Sequence, residues 1–298
     1  ERTMTSSPSS YDDLQLRIKT ILPATYRDCY ESVQPVSMGS AGLKFTPDGQ
    51  VAWNEIWTTF CDLAMAGGPP HKGNLLLPAT PAALAADPAR HQQVLAEICR
   101  GVALVAELPV QPSPHPGWVR IECPDSVMAG WLLRAITMEN VAVRAHGALL
   151  ELPAGPAYRL EKEIKNVITV IAKTTHYWVE HMWPAQERAI GELFAALEPN
   201  FPLITPDPHA PALPPTGLEQ TTGLALAPTL NEGRLGLACP TVAAAVWLIR
   251  ALVASNVLAR REETTLYVPL NPTTDPAARR LTALLAELCA FAREHQVL

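Results

Sequence analysis

The feature that most constrains this chain is a stretch written twice. Residues 123–141, CPDSVMAGWLLRAITMENV, lie without a gap on residues 239–257, CPTVAAAVWLIRALVASNV. Cys-Pro, Ala129/Ala245, Trp131/Trp247, Leu132/Leu248, Arg134/Arg250, Ala135/Ala251 and the closing Asn-Val pair are shared. The alignment continues through the following hairpins, with Leu150 on Leu266 and Pro153 on Pro269. One residue of slip then brings Ile164, Val167, Ile168 and Ile171 onto Leu281, Leu284, Leu285 and Leu288. Matches held in register over this length predict a duplicated structural unit.

Each copy reads β-α-β-β-α. Val119, Ile121 and Cys123 alternate with Arg120 and Glu122, the period-two pattern of a strand with one solvated face. Asp125 or Ser126 is placed to cap the helix that follows. The run 141–153 then reads as two strands joined at His146-Gly147. Strands linked by tight turns and interleaved with amphipathic helices predict an α+β fold: tandem β-α-β-β-α units, with antiparallel sheets covered by helices on one face. A third, weaker copy is suggested at 42–107, where Trp57 falls where Trp131 does, LLLP (75–78) where LELP (150–153) does, and His71 opposite His146. The expected organisation is an N-terminal arm and short helix (1–36), a first unit (37–110), a second (111–199), a proline-rich linker (200–217) and a third unit (218–298). Twenty-nine prolines, about twice average usage, must sit in turns and linkers.

Composition narrows the function classes. A formal charge of −6 with no Lys/Arg-rich run argues against nucleic-acid binding, which needs a basic stripe. No apolar run approaches the roughly 18 residues of a membrane span. The polar start of the chain lacks an apolar signal core, so a cytoplasmic protein is the expectation. Six cysteines show no metal-ligand spacing and read as buried free thiols. Cys123 and Cys239 each stand just before a helix, where a thiol can be activated. Their presence in both copies fits a buried strand end better.

Chemistry concentrates in 159–183, RLEKEIKNVITVIAKTTHYWVEHMW. Ile164, Val167, Ile168, Ile171, Thr175, Trp178 and Met182 follow the spacing of one buried helix face. Thr169, Lys173, His176 and Glu180 fall opposite, which reads most plainly as a solvated face. Val170, Thr174, Tyr177 and His181 form a flanking stripe suited to a partly dry pocket wall. In the other copy Lys173, His176, Tyr177 and His181 become Ala290, Arg293, Glu294 and Leu298, so these groups are particular to one unit. The segment 65–74, MAGGPPHKGN, is the second place to look: its glycines allow close approach, and His71 and Lys72 would meet an anion. It is not a Walker loop, and the small-residue loop 37–42 is a weaker candidate of the same kind. His176 and His181 are five apart and do not chelate one metal easily; no metal is expected, and no cofactor is identified.

Ligand-binding candidates are therefore His71, Lys72, His146, Lys173, Thr174, His176, Tyr177 and His181. Two functions fit. One is a non-catalytic protein, a homodimer in one form, that binds a small molecule or a protein partner. The other is an enzyme with one site on the 159–183 helix, using His176 or His181 as acid/base, Tyr177 as donor and Lys173 or Lys72 as anchor for a small anionic substrate.

Overall fold

A computed structural model describes residues 8–30, 42–57, 59–210, 215–227 and 232–298. Helix α1 (Tyr11–Ile21) comes first, then α2 (Pro81–Ala86) and α3 (Pro88–Ala106). Strands β1 (Val110–Pro112) and β2 (Trp118–Glu122) lead into α4 (Ser126–Met138), β3 (Arg144–His146) and β4 (Leu149–Pro153). Helix α5 (Lys165–His181) and α6 (Pro184–Leu197) follow. The chain then forms α7 (Leu218–Thr222), β5 (Ala225–Leu226), β6 (Arg234–Ala238), α8 (Val242–Val253), β7 (Arg260–Glu262), β8 (Thr265–Pro269) and α9 (Arg279–Glu294). None of the described helices is long and apolar enough to cross a membrane.

Two compact bodies result. The first comprises residues 31–182; the second joins residues 1–30 to 183–298. In the first, the antiparallel sheet runs β1-β2-β4-β3. The alternation read from sequence sets its faces: Val119, Ile121, Leu150 and Leu152 are fully buried, and α3 and α4 pack on the strands that carry them. Asp87 and Asp125 cap α3 and α4 by accepting first-turn N–H groups through their carboxylates. Gly147, at φ +58°, makes the β3–β4 turn. The long helix begins with a π-helical turn, Leu160–Ile164, before settling into α5.

The second body has the sheet order β5-β6-β8-β7, with α8 against β7 and β8. Helix α1 packs on α6, and Gln186 Nε2 donates to the carbonyls of Thr20 (3.2 Å) and Leu22 (2.5 Å). Both bodies are thus α+β, each with a four-stranded antiparallel sheet. Asn140 and Asn256, just past α4 and α8, both take left-handed φ values of +61° and +64°, which asparagine tolerates best after glycine. Each is followed by a parallel bridge: Val141 with Leu76, Val257 with Ile204.

Three stretches depart from the sequence expectation. The apolar residues Ile56, Trp57, Phe60 and Leu63 after Asn54 have the spacing of a helix face, but the chain there makes two 3₁₀ turns, Trp53–Glu55 and Ala64–Ala66, instead. Trp53, Ile56, Leu63 and Met65 are all buried there, but each from a chain that wraps its neighbours instead of coiling on itself. LLLP (75–78) takes the place of the bridge segment at Ile204, not of β4. Between 42 and 107 the only described strand-like pairing within the stretch is Phe45 with Val51, across a turn at Asp48-Gly49. The proline-rich run after α6 is tied down, with Ile204 N donating to Asn256 O and Asp207 N to Leu270 O. Residues 37–41 of the small-residue loop lie outside the described residues.

Candidate functional site

The loop that carries His71 and Lys72 folds over α5 at Lys173, and it meets an anion there. That anion is internal. Glu139, at the end of α4 and fully buried, accepts the backbone N–H of Ala64 (2.9 Å) and of His71 (2.7 Å) on its two carboxylate oxygens. Lys173 of α5 closes the cluster, its ammonium 2.9 Å from Glu139 and 3.3 Å from the Cys61 thiol. Buried amide donors need acceptors, and a carboxylate taking two of them beside an ammonium satisfies all three groups. Asn140 adds a side-chain donation to Lys72 O (2.9 Å), and Lys72 N donates to Glu139 O (3.1 Å).

Lys173 is therefore not on a solvated face. It is wholly buried, as is most of Thr169, with Glu139 and, from the 61–72 loop, Cys61 closing over its ammonium. Burial alone would lower the Lys173 pKa, but the Glu139 carboxylate reverses this and holds it above the ordinary lysine value. His71 is driven the other way. Desolvation leads, and its imidazole falls to about 4 despite the nearby Glu139. The residue as a whole is half-buried, but its Nε2 is cut off from solvent and has no hydrogen-bond partner.

Beside this cluster α5 borders an open hollow of about 380 Å³. Trp57, Phe60, Leu104, Ala172, His176 and Val179 line it, with Glu107 and Glu180 also on its wall. Leu104 is 44% exposed and Val179 69% exposed, unusual for large aliphatic side chains on one depression. From its wall five rings run in contact, the last two beyond the hollow: Trp57–Phe60 at 5.7 Å between centroids, Phe60–His176 at 5.1 Å, His176–His181 at 5.1 Å and His181–Tyr177 at 5.1 Å. The His176 imidazole sits 3.1 Å from the Glu180 carboxylate.

The candidate residues thus fall into four places. His71, Lys72 and Lys173 gather around Glu139. His176, Tyr177 and His181 form the ring chain, with the Tyr177 hydroxyl 3.5 Å from Cys61 O. Thr174 is sealed in the core, its hydroxyl donating back to Val170 O at 2.8 Å, so it walls no pocket. His146 is on β3, apart from all of these, beside a second depression with Arg120, Arg144 and Glu151. Compared with protein-family models, with curated proteins and with solved structures, the chain finds no match.

Residues that sequence reasoning passed over include Glu139, Cys61, Leu104 and Val179. Glu139 did carry a signal. It falls on Ser255 in the gapless alignment, so the cluster pairs two departures between the copies, Glu139 for Ser255 and Lys173 for Ala290. Among the described residues no group of three or more His, Cys, Asp or Glu side chains is arranged to hold a metal ion. The two Cys-Pro cysteines are buried, and burial pushes both thiols up to about 12, which is opposite to activation.

Proposed function

We propose that this is a non-catalytic binding protein built from duplicated α/β units, and that its ligand seat is the hollow on α5. The observation that carries this reading is the pair of exposed aliphatics, Leu104 and Val179, set in one depression with Trp57 and Phe60. A cavity of that size suits a small organic molecule. Covering the exposed parts of the two aliphatic side chains contributes about 2 kcal/mol to binding. The wall carries two carboxylates, Glu107 and Glu180, against one imidazole. The ligand class that fits is a flat apolar body bearing an amine. Duplication is supported by the shared strand order and by the matched left-handed asparagines. Six free thiols suit a reducing, cytoplasmic setting.

Isothermal titration calorimetry with an aromatic amine and with the matched aromatic carboxylic acid tests the reading. The amine binds saturably and more tightly than the acid, and Val179→Lys weakens it at least tenfold. Absence of saturable binding by both probes, or binding indifferent to Val179→Lys, rejects it. Concentration-dependent dimer mass that Val179→Lys abolishes would instead make a second copy the occupant.

The competing reading is an enzyme with His176 or His181 as acid/base on a small anionic substrate, and the ring chain favours it. Of its two expected anchors, Lys173 is buried and committed to Glu139, and Lys72 is not on the wall of the hollow. The carboxylates on the hollow's wall also disfavour an anion.

A further inference from the structure

The two sheets carry corresponding rows of side chains opposite their buried apolar residues, and the rows differ in charge balance. In the first body the row is Arg120–Glu151–Arg144. Glu151 neutralises both arginines, at 3.7 Å from Arg120 and 2.8 Å from Arg144, and also accepts from Ser113 and His115. Burial alone would raise the Glu151 carboxyl, yet these partners hold it below its ordinary value. Arg144 further lies over the Trp118 ring at 3.9 Å.

In the second body the equivalent row is Gly236–Tyr267–Arg260. The central carboxylate has become a phenol, and the place of Trp118 is taken by a second cation, Arg234. Both guanidinium-bearing residues are buried, Arg260 at 0% exposed and Arg234 at 6%. Arg260 rests on the Tyr267 ring at 4.3 Å and donates to Glu262 at 2.7 Å. The Arg234 guanidinium has no hydrogen bond or ion pair among the described residues, and its Nε is shut off from solvent. Burial first, and then the charge of Arg260, draw its pKa down to about 9; the exposed Glu232 opposes this only in part.

A buried cation without an acceptor is strongly disfavoured. The Arg234 Nε is a buried donor of this kind, beside a second buried cation, where the sister sheet supplies a carboxylate. We propose that Arg234 and Arg260 form a seat for a small oxyanion of the phosphate class, taking the role that Glu151 plays in the first sheet. The planar fork of arginine matches two oxygens of such an anion and is weakly hydrated enough to be used under cover. This seat belongs to the second body and does not depend on the hollow on α5.

The test is calorimetric titration of the full chain with inorganic phosphate and, separately, with glycerol 3-phosphate, at constant ionic strength and with chloride as control. The expected result is saturable binding of one or both and none of chloride. Tighter glycerol 3-phosphate identifies a phosphomonoester as the ligand; tighter phosphate identifies the free ion. Arg234→Met weakens binding at least tenfold, its thermal midpoint no longer moves with phosphate, and without phosphate it melts higher than the parent chain. Arg234→Lys keeps the charge but loses the fork, and is also weakened severalfold; it decides between the outcomes if Arg234→Met does not fold. A parent chain that binds neither probe saturably, or an Arg234→Lys variant that binds as tightly as the parent, overturns the seat.

Discussion

The two one-sided breaks of the buried Glu139–Lys173 pair should together cost far more than breaking both sides at once. With Lys173→Met, the Glu139 carboxylate stays buried but keeps its two amide donors, Ala64 and His71. The expected loss is at the low end of the range for orphaned buried charges, about 3 kcal/mol. With Glu139→Gln, the ammonium is stranded with only the Cys61 thiol beside it. The new amide NH₂ also faces a backbone N–H, so the loss is nearer about 5 kcal/mol. The double variant removes both charges and leaves one amide donor short of an acceptor, at a cost of about 1–3 kcal/mol. The cycle therefore predicts a coupling of several kcal/mol, well beyond the roughly 0.5 kcal/mol within which independent sites add. Urea unfolding followed by tryptophan fluorescence reads it, since Trp53, Trp131 and Trp178 are all buried in the first body. The pH dependence has a definite sign. Lys173 has a raised pKa in the folded state, so its contribution is complete below the unfolded lysine value of about 10.4 and is lost as pH climbs through the higher folded value. Lys173→Met should erase that alkaline decline. Single variants each costing under about 1 kcal/mol, or a double variant equal to their sum, would refute the account of the pair as a charge-matched clamp.

Two further outcomes follow from groups held out of water. His71 is neutral in the fold down to about pH 4, whereas the unfolded chain takes up a proton near pH 6.5. Stability should fall as pH drops through that window and level off below it, and His71→Asn should flatten the fall in an acid titration of the unfolding midpoint. In native thiol labelling, exposed Cys29 should react first, while buried Cys123, Cys239 and Cys289, with thiols raised to about 12, 12 and 11, should wait for unfolding; prompt labelling of Cys239 would contradict its placement.

How much was legible in the sequence depended on whether the relevant neighbour was local. The alternation at 118–123 and the Asp125 cap are short-range signals, and β2 and α4 form where they point. The helical wheel of 159–183 found the core stripe, since Ile164, Val167, Ile168 and Ile171 are all buried. It misjudged Lys173 because a wheel knows only one helix. What covers Lys173 is a loop about 100 residues earlier, held by a glutamate from a third segment. The spacing of Ile56, Trp57, Phe60 and Leu63 misleads in the same way, since it fits a helix face where the structure has two short 3₁₀ turns. Their apolar contacts are made by a chain wrapping its neighbours, and the acceptor that organises the end of that loop, Glu139, comes from α4. His146 was singled out from its turn and lies on the open face of its sheet, away from the α5 cluster.

The second body is discontinuous in the chain, and this matters during synthesis. Helix α1 finds its seat on α6 only after residues from 183 onward exist. About 150 residues separate the two parts, so at ribosomal speed the N-terminal segment waits on the order of 10–30 s while the first body is made. During that interval Leu14, Ile18, Ile21 and Leu22, all fully buried at the end, have nothing of their own body to lie against. Assembly of the two bodies is thus nested rather than sequential. The nascent chain carries an amphipathic segment with its apolar face unpaired, too short to hold a helix alone, across the synthesis of the first body, and a slowed ribosome would leave it exposed longest.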